Sequence, residues 1–190
     1  MADQKVMDKQ KAILESAIAV FSARGFWNTP TSLISKTAGV ADGTLFNYFA
    51  TKDDLINEVY LEIKKELAAH LLAGLPTTLS LKDKMRHIWS QYIKWGIQYP
   101  EKFKVLRQIG ESYELDEAVK EQANEPFVEF ERIARESVAK GEIRDYPVEY
   151  LASLLESQAF ITIQFMTRSE AREVDFIEIG FDILWNGVSN

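Results

Sequence analysis

From Thr31 to Lys52 the chain reads TSLISKTAGVADGTLFNYFATK, and its polar side chains are of kinds that hold phosphate oxygens and touch base edges. Thr44 stands near the amino end of a short helical stretch, where free amides point outward. Its hydroxyl and the Gly43 amide can therefore hold a phosphate. Tyr48 follows one turn later on the same face; its phenol can donate to a phosphate, or its ring can pack in the helix seam. Lys52 offers a point charge to the same strand, and Thr31 or Ser32 a clamp on the other side. Asn47 faces outward and carries an amide, the group that pairs with an adenine edge. Asp42 has two roles open to it: as a helix cap, the favoured reading, or as an acceptor for cytosine N4 in spite of phosphate repulsion.

These side chains are useful only if two short helices cross at a large angle around a tight turn. Ser35 is small enough to let the second helix approach, Gly39 can take positive φ, and Ile34, Ala38, Val40 and Leu45 supply a shared apolar seam. A plain helical hairpin remains the bland alternative, since Ala-Gly-Val is a common helix stop. Upstream, a helix over about 3–24 places Ile13, Ala17, Val20 and Phe21 on one face and stops at Gly25. Phe26 and Trp27 are expected to plug the small N-terminal core, before Asn28, Thr29 and Pro30 break the chain. The second short helix is expected over about 42–49.

Apolar spacing stays helical almost throughout. A long helix is expected from Thr51 to about Gly74, then a linker through Pro76, Thr77 and Thr78, and a capping box at Ser80 and Asp83. Met85, Ile88, Tyr92, Trp95 and Tyr99 form one buried stripe before Pro100. Further helices are expected over about 101–112, 116–140, 147–168 and 173–188, about nine in all. The fold class is all-α.

The totals narrow the chemistry. The chain has 190 residues, no cysteine, 46% hydrophobic and 27% charged residues, which supports a real core and excludes a disulfide framework. The polar start and the lack of a long apolar run point to the cytosol and away from the membrane. His70 and His87 have no Cys or His partner at ligand spacing, so no metal and no cofactor are expected, nor any catalytic residue. The net charge of -7 is unevenly spread: residues 1–52 carry six Lys/Arg against four Asp/Glu, or +2, and the remainder carries -9. A mildly basic module joined to an acidic one suits a protein of which only the first part approaches phosphates.

The stretch resembles the DNA-binding domain of the tetracycline-repressor (TetR) family of bacterial regulators. The matching residues are Gly25-Phe26, Thr31, Ala38-Gly39-Val40, Gly43-Thr44-Leu45-Phe46, Tyr48-Phe49 and Lys52 to Leu55. Three departures stand out. Ala41 occupies the place of a frequent capping serine, which passes the cap to Asp42; Phe46 replaces a common tyrosine and loses a phosphate donor; Ser35 replaces a common alanine. The resemblance implies a three-helix DNA-binding domain with a helix-turn-helix over residues 1–50, and a helical ligand-binding and dimerisation domain over 51–190. It also implies a homodimer on a palindromic double-stranded DNA operator, not an enzyme.

The C-terminal residues add to this picture. In the last helix Phe176, Gly180, Ile183 and Gly187 form one stripe, with Ile177, Phe181, Leu184 and Val188 beside it. The two glycines suggest close approach by another backbone. With Leu151 and Leu155 of the preceding helix, the first stripe is the expected dimer interface. Trp89, Tyr92, Trp95, Phe103, Phe127, Phe130 and Phe160, with Phe165, supply aromatic surface for a pocket, although aromatic residues at helical spacing often serve as plain core. A hydrophobic or amphipathic small-molecule effector is expected, tilting the long helix after Lys52 and releasing a repressor from its operator. Two alternatives stay open: a DNA-binding regulator controlled by a protein partner, and a helical enzyme or carrier that uses the hairpin as scaffold.

Overall fold

Helix boundaries fall where the breakers stand. The computed structural model describes residues 2–75, 78–168 and 175–190, with side chains from residue 6 onward. Helix α1 (Ala2–Arg24) stops at Gly25, whose amide closes on the Phe21 carbonyl at 2.8 Å. Then come α2 (Thr31–Thr37), α3 (Asp42–Tyr48), α4 (Lys52–Leu72), α5 (Leu81–Gln98), α6 (Pro100–Ser112), α7 (Glu117–Asn124), α8 (Val128–Ala139), α9 (Val148–Arg168) and α10 (Phe176–Val188). Among the described residues the extended structure amounts to one isolated bridge, Ile143 with Ser189. The fold is all-α.

The segment expected as one helix over 116–140 is divided. Pro126 lacks an amide and its ring crowds the preceding turn, so the chain passes through a 3-10 turn at Glu125–Phe127 between α7 and α8. The Pro76–Thr77 part of the expected linker, and the expected start of the last helix at 173–174, lie outside the described residues. Asp175 is the N-cap of α10, its carboxylate accepting from the amides of Ile177 (3.0 Å) and Glu178 (3.2 Å).

Two compact units emerge. The first comprises Met1–Lys65 and Tyr99–Asn124. Here α1 packs on α2, α3 and α6, and Ile13, Phe21, Ile34, Leu45 and Leu55 are fully buried, each burial worth roughly 1.5–3 kcal/mol. Because α6 packs along α1, this compact unit extends past residue 50 and takes in residues 99–124.

The second unit comprises Glu66–Gln98 and Glu125–Asn190, with α5, α9 and α10 packed pairwise and α8 against α9. A close joint lies at Gly180, where an added Cβ would meet Trp89 Cζ2 at 2.6 Å. Trp89 is fully buried and donates its indole N–H to the Ile177 carbonyl at 2.7 Å. One turn earlier on α5, Arg86 pairs with Glu178 and lies 4.6 Å above the Phe181 ring. The close approach that requires glycine at 180 is therefore made by a tryptophan of the same chain, not by another backbone. Gly187 has nothing within 4 Å.

Candidate nucleic-acid interface

The turn between α2 and α3 is closed by backbone bonds that few sequences permit. The Val40 amide reaches back to the Ser35 carbonyl (3.0 Å) and the Gly39 amide to Lys36 (3.2 Å), with Gly39 at φ +68°. This is a Schellman stop, and a residue with a Cβ would be strained at its left-handed position. Ser35 is buried, and its hydroxyl donates to the Thr31 carbonyl at 3.0 Å, so a small polar side chain sits in the crossing with its proton satisfied. Ile34 and Leu45 meet the core without exposed surface, while Ala38 and Val40 are half-buried at the margin of the seam.

Burying Leu45 and Phe49 orients α3. Asp42, Gly43, Phe46 and Asn47 are left on its exposed side, with Thr44 and Tyr48 half-buried at its edges. Ser32 is exposed on α2 and Thr31 half-buried, so seven of the eight expected contact residues lie on these two short helices. Lys52, the eighth, opens α4.

Two of the polar groups are already engaged. The Tyr48 hydroxyl donates to the Val6 carbonyl of α1 at 3.1 Å, and the Lys52 ammonium to the Trp27 carbonyl at 3.4 Å. Partial burial lowers the Lys52 pKa from its ordinary value, opposed by the neighbouring Asp53 carboxylate. Tyr113, after α6, is pushed up to about 12 by burial, then by its hydrogen bond with Asp53 and the charges of Asp53, Asp116 and Asp54.

Two local expectations are corrected. Asp42 does not cap α3: the N-cap position is Ala41, without a side-chain cap bond, and Asp42 stands inside the first turn, where its charge faces the helix dipole. Trp27 does not plug the core. It is 64% exposed, tilted against Phe26 with ring centroids 4.8 Å apart and against Tyr113 at 5.9 Å, and of the pair only Phe26 enters the core. Helix α4 begins with a capping box that the sequence analysis does not include: the Asp54 amide bonds the Thr51 hydroxyl (3.0 Å) and the Thr51 amide the Asp54 carboxylate (2.9 Å). The Thr-x-x-Asp spacing was the available signal; nothing in the sequence signals the Tyr113–Asp53 contact.

The aromatic residues expected at a pocket do not share one unit, since Phe103 belongs to the first and the others to the second. Trp89 and Trp95 are fully buried and Tyr92 nearly so, stacked on Trp95 at 6.5 Å, whereas Phe127, Phe130 and Phe160 are half-buried. Of the expected interface residues, Gly180 is buried within the chain, Leu151, Leu155 and Phe176 are half-buried, and Ile183 and Gly187 are exposed. Ile161 and Phe165 on α9 and Ile179 on α10 add to the exposed apolar surface. Among the described residues no group of acidic, histidine or cysteine side chains could hold a metal ion, and no helix is long and apolar enough to cross a membrane.

Residues 13–59 match the family of bacterial regulatory proteins named for tetR. The fatty acid metabolism regulator protein of Bacillus subtilis is 27% identical over 84 residues, which are 44% of this chain and 43% of that protein; the chain thus spans less than half of that relative's length. A TetR family transcription regulator from Marinobacter aquaeolei VT8 superposes with a TM-score of 0.90 at 20% identity, covering 99% of each chain. The transcriptional regulator FadR of Bacillus subtilis, solved in complex with stearoyl-CoA, superposes with a TM-score of 0.72 at 19% identity, over 94% of this chain and 98% of that one.

Proposed function

We infer that this chain, whose residues 13–59 match the tetR family of bacterial regulatory proteins, is a cytoplasmic transcription regulator, not an enzyme, that grips a palindromic DNA operator as a homodimer and leaves it when a small molecule binds. The observation that carries this reading is the outer side of α3, where Asp42, Gly43, Phe46 and Asn47 stand exposed while Leu45 anchors the helix from beneath. A short helix held by one buried leucine and a glycine turn is a rigid presenter of side chains, and the major groove admits such a helix. Thr31, Ser32, Gly43, Thr44, Tyr48 and Lys52 serve phosphates in this reading, Asn47 reads a base, and Asp42 borders the groove.

Residues 1–50 act as the reader and 51–190 as sensor and dimerisation part. The exposed apolar side chains of α9 and α10 supply the surface for the second subunit, with half-sites about one helical turn of DNA apart. The effector is hydrophobic or amphipathic. The half-buried Phe127, Phe130 and Phe160 favour an apolar occupant, and the FadR relative of known structure was solved with stearoyl-CoA, a molecule of that kind. Binding of such a molecule tilts α4, which begins at Lys52, and changes the spacing of the two readers; DNA affinity falls in proportion to the preference for the unproductive spacing.

The test is retention of genomic fragments by the purified protein at rising salt, with Thr44, Asn47, Tyr48 and Lys52 each changed to alanine. Selective retention that weakens with salt and with these changes is expected, and release by long-chain acyl compounds supports the effector class. Retention of no fragment at low ionic strength refutes the reading.

A further inference from the structure

Phe46 is out of place by ordinary packing rules. It lies on the second turn of α3, yet 46% of its surface is exposed, whereas Leu45 beside it is fully buried. Neighbouring rings are propped by others: Tyr48 tilts against Phe49 at 6.4 Å, and Phe26 against Trp27 at 4.8 Å. Phe46 makes no comparable ring contact among the described residues. A phenyl ring also carries no hydrogen-bond donor, so it cannot serve a phosphate as a tyrosine would.

The groups flanking it are Thr44 at the helix edge and Asn47 on the exposed side, within a segment whose net charge is +2. In the major groove one apolar group projects from the base edges, the C5-methyl of thymine, and a phenyl ring is a suitable partner for it. Asn47, adjacent on the same exposed side, has the amide suited to an adenine edge.

We propose that Phe46 is a specificity-determining residue that reads one thymine methyl in each half-site, while Asn47 reads adenine close by. The inference rests on the DNA-binding reading above and adds to it a base identity and the atom by which it is recognised. It also turns the replacement of a tyrosine by phenylalanine from a lost phosphate contact into a change of readout.

The test uses the full chain and a duplex selected by it, with each thymine replaced in turn by deoxyuridine. That exchange removes the methyl and leaves base pairing intact. For the unmodified protein we expect a loss of roughly fourfold at one thymine per half-site, the factor that corresponds to one buried methyl group, and about fifteenfold when both half-sites are changed. Phe46→Ala is expected to bind the unmodified duplex more weakly and to be indifferent to deoxyuridine at that position, while Phe46→Leu and Asn47→Ala keep the sensitivity. Because the ring is exposed, the alanine variant should melt with the parent.

A selected half-site without thymine, a parent protein insensitive to every exchange, or an alanine variant that keeps the full profile overturns the role of Phe46 and leaves DNA binding standing. Failure of the DNA-binding reading is distinct, because no fragment is then retained before any base is replaced.

Discussion

Adding one methyl group to α10 should have opposite effects at two glycines a heptad apart. At Gly180 the new Cβ would lie 2.6 Å from Trp89 Cζ2 and 2.8 Å from Thr162 Oγ1. Neither can retreat easily: Trp89 is fully buried with its N–H on the Ile177 carbonyl, and the Thr162 hydroxyl donates to Gln158 at 3.0 Å. Overpacking of this kind costs about 1–3 kcal/mol, and the better helix propensity of alanine returns about 1 kcal/mol. Gly180→Ala should therefore destabilise by up to roughly 2 kcal/mol, which lowers Tm by as much as about 8 °C for a chain of this size. At Gly187 nothing lies within 4 Å, so Gly187→Ala gains only propensity, about 0.5 kcal/mol near a helix end. Thermal and urea unfolding of both variants at one protein concentration measures the difference. Shifts of the same sign at both positions would refute the assignment of Gly180 to intrachain packing.

The other expectations concern caps, titration and association. Thr51→Ala should cost about 1 kcal/mol in urea unfolding through loss of the capping box, whereas Asp42→Asn, at a residue that caps nothing, should change stability by no more than about 0.5 kcal/mol. Tyr113 has its pKa raised from 10.0 to about 12, so its neutral form stabilises the fold fully below pH 10 and that contribution is lost as pH rises toward 12. Tyr113→Phe should flatten the fall of stability across that interval, and ultraviolet titration should show one fewer late phenol. Ile183 is 58% exposed on α10, and Ile183→Glu should give a folded monomer in sedimentation; a dimer that persists unchanged would count against pairing through this helix.

Much of the candidate site was legible because each requirement had its own residue. Gly39 carries the left-handed turn, Ser35 the close crossing, and Leu45 the anchor, and all three perform those tasks. Legibility failed where the outcome depended on residues distant in the chain. Trp27 is as apolar as Phe26, but the core has room for one of them, and the second rests on the outside against Tyr113 from beyond α6. Gly180 could be recognised as a point of close approach; the occupant could not, because Trp89 lies 91 positions earlier. The Asp42 cap failed for a local reason, a frame of one residue: Ala41 took the extended conformation and with it the cap position.

The engaged state of Tyr48 and Lys52 bears on what DNA binding can gain from them. On the proposed reading, each exchanges a backbone carbonyl for a phosphate oxygen, so its contribution is the difference between two hydrogen bonds and not the whole of one. For Tyr48 the exchange is of a neutral acceptor for a charged one, and it frees the Val6 carbonyl at the start of α1, which places the first turns of α1 under the influence of DNA. For Lys52 the exchange brings its charge to the duplex and releases a counterion, an entropic gain that no carbonyl supplies. The two residues should therefore separate in one experiment. Tyr48→Phe should weaken binding with the salt slope intact, and Lys52→Ala should reduce the slope of log affinity against log salt by about 1. Equal slopes in both variants would mean that Lys52 remains on the Trp27 carbonyl in the complex and that the charge at the duplex comes from elsewhere.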